Sequence, residues 1–236
     1  MASIEISEKQ GVRSLHFGSE LVQGAMRIAR PWALELEYTR ELMFPLLLRG
    51  EGWPRTTLQV GLGAGSTTKF LLRHRPRARV TVVELRGDVI STARSFFKVP
   101  EDPRLRIEQC DAHEFVTGTR SAFDFIVVDG FDAEGRAGML ERAPFYLAVR
   151  QRLRERGLLS FNLIDRGGGA RASIERLREA FDGSIVVLPR QPGGNTIVLA
   201  AEGPLELPSA EVLEAAAVKL KAATGLDLTP TLERLA

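Results

Sequence analysis

Through the middle of the chain, short apolar runs take turns with stretches that carry apolar residues at helical spacing. Leu58–Leu62, Val80–Glu84, 104–109, Phe123–Asp129 and Gly157–Leu163 read as strands. Helices are expected between them over 66–74, 88–97, 112–117 and 144–154, and a further one over Ser173–Phe181. The run Phe123-Asp-Phe-Ile-Val-Val-Asp129 is almost continuously apolar, as expected for a strand covered on both faces. Ile185–Leu188 and Thr196–Ala200 flank Pro192-Gly-Gly-Asn195 and read as a hairpin, which brings the strand count to seven. A last helix is expected over Pro208–Ala223, packing through Leu213, Ala216, Ala217 and Leu220.

The first thirty residues follow a different pattern. Val12–Phe17 alternates, Gly18-Ser19 signals a turn, and Leu21–Met26 returns, so a small β-hairpin is expected ahead of the main domain. Trp32–Leu48 then reads as a helix with Leu34, Tyr38, Leu42 and Leu46 on one face, kinked or ended by Pro45. The expected organisation is therefore a β extension over 1–31 and a Rossmann-like α/β domain over 32–236. The seven strands with their terminal hairpin describe the sheet of the S-adenosylmethionine-dependent transferases. A hairpin is marginal alone in water, so this one needs a surface to pack on, and a homodimer is expected.

Composition adds little beyond exclusions. Of the 236 residues, 44% are hydrophobic and 26% charged, ordinary for a globular protein, and the net charge of +2 is too small and too dispersed to call for nucleic acid. The basic cluster Arg73–Arg79 falls where a helix should end, where the helix dipole favours cations. Cys110 is the single cysteine, so an internal disulfide is excluded and a reducing, cytoplasmic setting is expected. No apolar run reaches the length of a membrane span, and the N-terminus lacks the features of a signal peptide. His16, His74 and His113 lack metal-ligand spacing, so no metal is expected.

The chemistry gathers at the expected strand ends, where open parallel sheets bind ligands. The first strand runs into Gly61-Leu-Gly-Ala-Gly65 and then Ser-Thr-Thr-Lys69. Gly61, Gly63 and Gly65 let the backbone approach a ligand, and Ser66 or Thr67 is placed to cap the following helix. This spacing is neither the Gly-x-Gly-x-x-Gly of dinucleotide folds nor a Walker loop. A turn so compact, with Glu84 ending the next strand to accept from a ribose diol, fits a nucleoside such as S-adenosylmethionine; the alternative is a structural turn that binds nothing. Asp111 is placed to accept from an adenine amino group, with Ala112 beside the ring and Leu85 over its other face. Asp129 and Asp132 follow the buried fourth strand. An alkyl ammonium must lose its proton before it attacks a carbon beside a sulfonium, and two carboxylates on one turn can attract the cation and take that proton. Asp129 as a turn cap and Asp132 as a solvated acid are the alternative.

These residues resemble a family. Gln23, Leu36-Glu-Tyr-Thr-Arg-Glu-Leu-Met43, the glycine turn, Val-Glu84, Cys-Asp-Ala112, Val-Asp-Gly-Phe-Asp132 and Phe145-Tyr146 are similar, in order and spacing over about residues 12–200, to the spermidine/spermine synthases, the polyamine aminopropyltransferases. The resemblance implies transfer of an aminopropyl group from decarboxylated S-adenosylmethionine to an amine, with release of methylthioadenosine. It implies that Gln23 touches the cofactor, Glu84 its ribose and Asp111 its adenine. Asp129 would be the base, Tyr38 would assist deprotonation, and Asp132 would help to bind the aminopropyl side or the amine. Several positions depart from the family pattern: Ala64 replaces an amine-binding acid, Thr39 a His, Arg86 a second acid and Ala133 a Pro, Arg136 brings a positive charge to the loop over the site, and the acid expected after the fifth strand is at best Asp165. A methyltransferase that uses intact S-adenosylmethionine on the same scaffold, and a nucleoside-binding protein without catalysis, stay open as alternatives.

Overall fold

A computed structural model describes residues 3–132, 134–164 and 169–235. The chain opens with three antiparallel strands, β1 (Ile4–Lys9), β2 (Val12–Phe17) and β3 (Val22–Arg27), in the order β1-β2-β3. The expected hairpin is thus a three-stranded sheet. The added strand is short and polar on one side, but Ile4 and Ile6 alternate with Glu5 and Ser7 and pack against the main core. This packing gives the sheet its surface within the same chain.

The expected long helix from Trp32 is instead one α-helical turn, α1 (Glu37–Glu41), followed by a 3₁₀ turn over Phe44–Leu47. Leu36 holds an extended backbone before α1, and Pro45 offers no N–H, so the α-helical ladder cannot run through it. The apolar spacing marked a buried face: Leu34, Leu42 and Leu46 all lie in the core.

The main sheet comprises β4 (Thr56–Val60), β5 (Arg79–Glu84), β6 (Leu105–Gln109), β7 (Phe123–Val128), β8 (Leu153–Ile164), β9 (Ile185–Val187) and β10 (Asn195–Ala201). Their order is β6-β5-β4-β7-β8-β10-β9, and only the pairings of β10 are antiparallel. Helices α2 (Ser66–His74), α3 (Gly87–Phe97), α4 (Ala112–Gly118), α5 (Ala143–Gln151) and α6 (Gly169–Ala180) connect the strands, and α7 (Ala210–Thr224) and α8 (Thr229–Leu235) follow. Strand β8 starts four residues before the expected Gly157, because Leu153 already pairs with Phe123. Helix α8 was not expected; seven residues with Pro230 in the first turn give little periodicity to read.

Two apolar layers sandwich the sheet. Leu58, Ile126, Val128, Phe145 and Tyr146 pack on one face, and Phe70, Leu71, Val82, Phe125 and Val127 on the other. The strand order reverses between β4 and β7, and there the strand ends part to leave a crevice. Among the described residues, no helix is long and apolar enough to cross a membrane.

Candidate active site

A cavity of about 1000 Å³ opens at this switch point. It is walled by the ends of β4, β5, β7 and β8, roofed by β3, and closed on one side by the loop joining β9 and β10. Gln23, Tyr38, Gly61, Gly63, Glu84, Leu85, Asp111, Ala112, Asp129 and Asp132 all line it. Gly65 does not: it stands just before α2 in a left-handed conformation (φ 65°), and a Cβ there would lie 2.2 Å from Val99 Cγ2. Its lack of a side chain serves packing rather than ligand approach. Asp165 and Ala133 lie outside the described residues.

The glycine turn is held from three sides. Glu84 Oε2 accepts from the Leu62 N–H at 2.9 Å. Gln59, buried within β4, donates to the Gly61 carbonyl and accepts from the Thr68 hydroxyl, both at 2.7 Å. Above, β3 touches the turn: a Cβ on Gly24 would sit 2.8 Å from the Ala64 nitrogen. Ser66 does not cap α2. Its hydroxyl donates to the Ala25 carbonyl at 3.0 Å and ties β3 down, because Ser66 is already inside the helix and Gly65 holds the capping position.

At the Glu84 end of the cavity, Oε2 accepts from the Leu62 N–H and Oε1 from the Arg86 N–H, both at 2.9 Å. A carboxylate has about four lone-pair sites, so both oxygens retain capacity for a diol. Burial raises the Glu84 pKa, and these backbone bonds oppose the shift. Asp111 Oδ1 accepts from the N–H groups of His113 and Glu114 at 2.8 and 3.0 Å, capping α4. That bonding fixes the carboxylate at the cavity edge. Leu85 is 65% exposed, an apolar side chain standing free at the rim.

At the other end Asp129 is half-buried, with the Tyr38 hydroxyl on one side and Asn162 on the other. Asn162 Nδ2 donates to Asp129 Oδ1 at 2.9 Å, and Asn195 Nδ2 donates to Asn162 Oδ1 at 3.0 Å. Desolvation pushes the Asp129 pKa up to about 6, against the lowering pull of Asn162 and Tyr38. Burial also raises the Tyr38 pKa, helped by the charge of Asp129, so this phenol stays a hydrogen-bond donor.

Asp132 sits in a contrasting environment. Its partial desolvation would raise the pKa, but the Arg136 N–H and guanidinium and the Glu134 N–H hold it below the usual carboxylate range. The two acids therefore separate: Asp129 is poised to exchange a proton near neutrality, and Asp132 is committed as an anion. Arg136 is engaged by Asp132 and Glu134, both at 2.9 Å. The loop over the site thus carries two acids and one base, not an isolated positive charge.

Asn162, Asn195 and Gln59 were missed by sequence reasoning. Each is a polar side chain interrupting an apolar strand or beginning one, and that interruption is the signal that could have found them. Removing the Asn162 contact predicts a pH effect. Asn162→Leu takes away a hydrogen bond that favours the ionised form, so the Asp129 pKa rises above about 6. The acid limb of kcat/KM should move to higher pH, which a pH–rate profile reads directly; an unmoved limb would mean that Asp129 does not set it.

An open sheet with a compact glycine turn, a strand-end acid facing it and a half-buried carboxylate–phenol pair across the same cavity has the layout of a transferase site for a nucleoside-type substrate. The comparisons with known proteins narrow this. The sequence model of the spermine/spermidine synthase domain matches residues 37–162. A polyamine aminopropyltransferase of Neisseria meningitidis is 34% identical over 95% of this chain and 85% of its own length. One from Chromobacterium violaceum is 34% identical over 100% of this chain and 90% of its own. Among solved structures, a probable spermidine synthase from Corynebacterium glutamicum superposes with a TM-score of 0.78 at 20% identity, covering 95% of this chain and 91% of that one. A spermidine synthase in complex with the transition-state analogue AdoDATO gives 0.65 at 22% identity, over 94% and 88%. The chain belongs to the spermine/spermidine synthase family.

Proposed function

We propose that the protein transfers the aminopropyl group of decarboxylated S-adenosylmethionine to an amine, with Asp129 as the base. The observation that carries this reading is the Asp129–Tyr38 pair across the cavity from Glu84. The nucleoside lies with its ribose on Glu84 and its adenine between Leu85 and Ala112 near Asp111; Gln23 and the backbone at Gly61 and Gly63 flank the sulfonium side.

The acceptor enters as an ammonium with a pKa near 10, and the Asp129 carboxylate draws it in. As the nitrogen lone pair attacks the aminopropyl carbon bonded to sulfur, the new C–N bond forms and the C–S bond breaks. The bonding pair returns to sulfur, leaving neutral methylthioadenosine. The nitrogen lone pair is freed beforehand, when one ammonium proton passes to the Asp129 carboxylate, whose pKa of about 6 lets it hold the proton and release it to solvent afterwards; the new amine leaves as an ammonium carrying the charge that the sulfonium lost. Tyr38 donates to the carboxylate and fixes its orientation. Asp132 holds its loop over the aminopropyl side. Desolvation of the sulfonium and alignment of the nitrogen behind its carbon supply the rest of the acceleration.

Ala64 supports a second reading, methyl transfer from intact S-adenosylmethionine, because the turn offers no carboxylate to reward an ammonium where the family has one. One experiment separates the two. Calorimetry with S-adenosylmethionine, its decarboxylated form and methylthioadenosine is followed by product analysis with putrescine and spermidine. Tighter binding of the decarboxylated form and methylthioadenosine release with an amine are expected. Preference for the carboxylated form without such release would sink aminopropyl transfer; binding of the nucleosides without turnover of any amine would favour a non-catalytic binder. Light scattering on the same samples tests the homodimer, for which the open edge of β1 provides a pairing surface; a monomer mass at micromolar concentration would contradict it.

A further inference from the structure

Glu41 is a carboxylate with no exposed surface, far from any role in the chemistry above. Three side chains from distant parts of the chain converge on it. Gln191 Nε2 donates to Oε2; the Thr231 hydroxyl donates to Oε1 at 3.1 Å, and the Arg234 guanidinium pairs with the same oxygen. Arg234 also reaches Glu37 Oε1 at 2.8 Å. These partners lie 150, 190 and 193 residues further along the chain. Burying a carboxylate is costly unless it is paired and hydrogen-bonded, so these groups hold together as a unit.

The unit joins the two sides of Asp129. On one side Glu41 ends α1, three residues after Tyr38 and on a neighbouring face of the same turn. A single α-helical turn has no stability of its own, so what anchors its end decides where Tyr38 stands. On the other side Gln191 anchors the loop between β9 and β10. Its N–H donates to the Asn195 carbonyl at 2.8 Å, and its carbonyl accepts from Gly194 at 2.9 Å. Asn195 then holds Asn162, which holds Asp129. The neighbouring Arg190, Pro192, Gly193 and Gly194 line the cavity. Helix α8 supplies Thr231 and Arg234 without touching the cavity.

We infer that Glu41 is a positioning residue: held by Arg234 and Thr231 of α8, it fixes the turn bearing Tyr38 against the loop whose Asn195 orients the Asn162–Asp129 pair. Helix α8 thereby acts on the reacting centre through two contacts that converge on one buried carboxylate. The inference rests on the proposed roles of Tyr38 and Asp129 for its catalytic consequence, but not for its structural one.

The test uses the two tyrosines of the chain, Tyr38 and the core residue Tyr146. Carbon-13 at tyrosine Cζ gives two resonances, and Tyr38→Phe assigns them. In Arg234→Ala, the Tyr38 resonance should move while that of Tyr146 stays. Methylthioadenosine affinity, read at the opposite end of the cavity, should change less than about twofold, and kcat should fall about 10- to 100-fold, the range expected when reacting groups are misaligned. Arg234→Lys should restore most of the turnover and return the Tyr38 resonance toward its original position. An unmoved Tyr38 resonance with undiminished kcat overturns the inference. So does a parallel loss of nucleoside affinity with movement of both resonances, since that describes general loosening. Should Arg234→Ala not fold, Thr231→Val gives a milder version of the same readouts, and a wild-type Tyr38 resonance with undiminished kcat in that variant would also overturn it. If the wild-type protein transfers no aminopropyl group to any amine, the proposed reaction fails while the resonances still decide the positioning role.

Discussion

Asp129→Asn should abolish most of the turnover and make the protein more stable. The loss follows from the proposed role of Asp129 in taking the amine proton: a positioned base contributes about 10²–10⁴-fold, and kcat should fall by that amount. Nucleoside affinity should hold, because Glu84 and the glycine turn are untouched. The gain in stability follows from the pKa. The carboxyl binds its proton more tightly in the folded protein, at about 6, than at its ordinary value of 3.8. Below about 3.8 the group is protonated in both states and costs nothing. As pH rises from there to about 6, the unfolded chain ionises first and stability falls, and above about 6 the full cost is present. That cost is on the order of 3 kcal/mol at most, from about 1.4 kcal/mol per pH unit of difference. The Asn amide keeps the Oδ1 contact with Asn162 and can donate to the Tyr38 oxygen. Thermal melts of both proteins should therefore converge near pH 4 and separate by several degrees at pH 7.5, with the variant higher. Melts that stay superimposed at pH 7.5 would show that Asp129 carries no such penalty, and retained turnover would remove it as the base.

Gly61→Ala should have the largest structural effect of any single methyl group added at the site. A Cβ at Gly61 would lie 2.1 Å from the Asp129 carbonyl oxygen, inside any allowed contact, and the residue has φ 86°. Neither backbone can yield. The Gly61 N–H is bonded to the Val83 carbonyl at 2.8 Å and the Asp129 N–H to the Val60 carbonyl at 2.9 Å, so both segments are pinned by the sheet. Overpacking of about 1–3 kcal/mol adds to about 1–2 kcal/mol for the left-handed backbone. At about 2–4 °C per kcal/mol for a protein of this size, the melting temperature should drop by roughly 5–15 °C. Calorimetry should show no methylthioadenosine binding, since parting β4 from β7 distorts both the glycine turn and Asp129. Binding within about twofold of wild type would mean that the turn adapts.

Much of this was legible in the sequence, for reasons particular to each element. The central parallel strands could be read because burial on both faces leaves apolar runs such as Phe123–Val128, and the edge strand β6 because Leu105 and Ile107 alternate with polar residues. The site acids could be placed because each follows an expected strand, and the strand order brings Glu84, Asp111 and Asp129 to one crevice. What escaped was set by contacts between distant segments. Gly65 looked like its neighbours, but Val99, which explains it, comes from the far end of α3. Arg136 read only as a positive charge on the loop over the site, because its ion pairs depend on how the loop folds back on Asp132. Trp32–Leu48 had a helical apolar face, yet Pro45 and the extended Leu36 limited the α-helix to one turn. The Asn195–Asn162–Asp129 chain spans two strands that pair only in the folded sheet, so the interrupted apolar pattern could flag each Asn but not the partner it meets.

The two ends of the cavity differ in what frames them. At the Glu84 end backbone meets backbone, with Gly24 against Ala64 and Gly61 against Asp129, so no side chain can be added at Gly24 or Gly61 without moving a strand. At the Asp129 end the wall includes the turn of a hairpin, Pro192-Gly193-Gly194, tied down by Gln191 on one side and Asn195 on the other. Hairpin turns tolerate changes of length and sequence that packed backbones do not. A lineage, or a designer, can therefore lengthen, shorten or recharge this turn to admit a different amine while the handle for the adenosyl group is inherited unchanged. The scaffold separates what is kept from what is free to vary, and it does so with bare backbone at one end of a single crevice and a loop at the other.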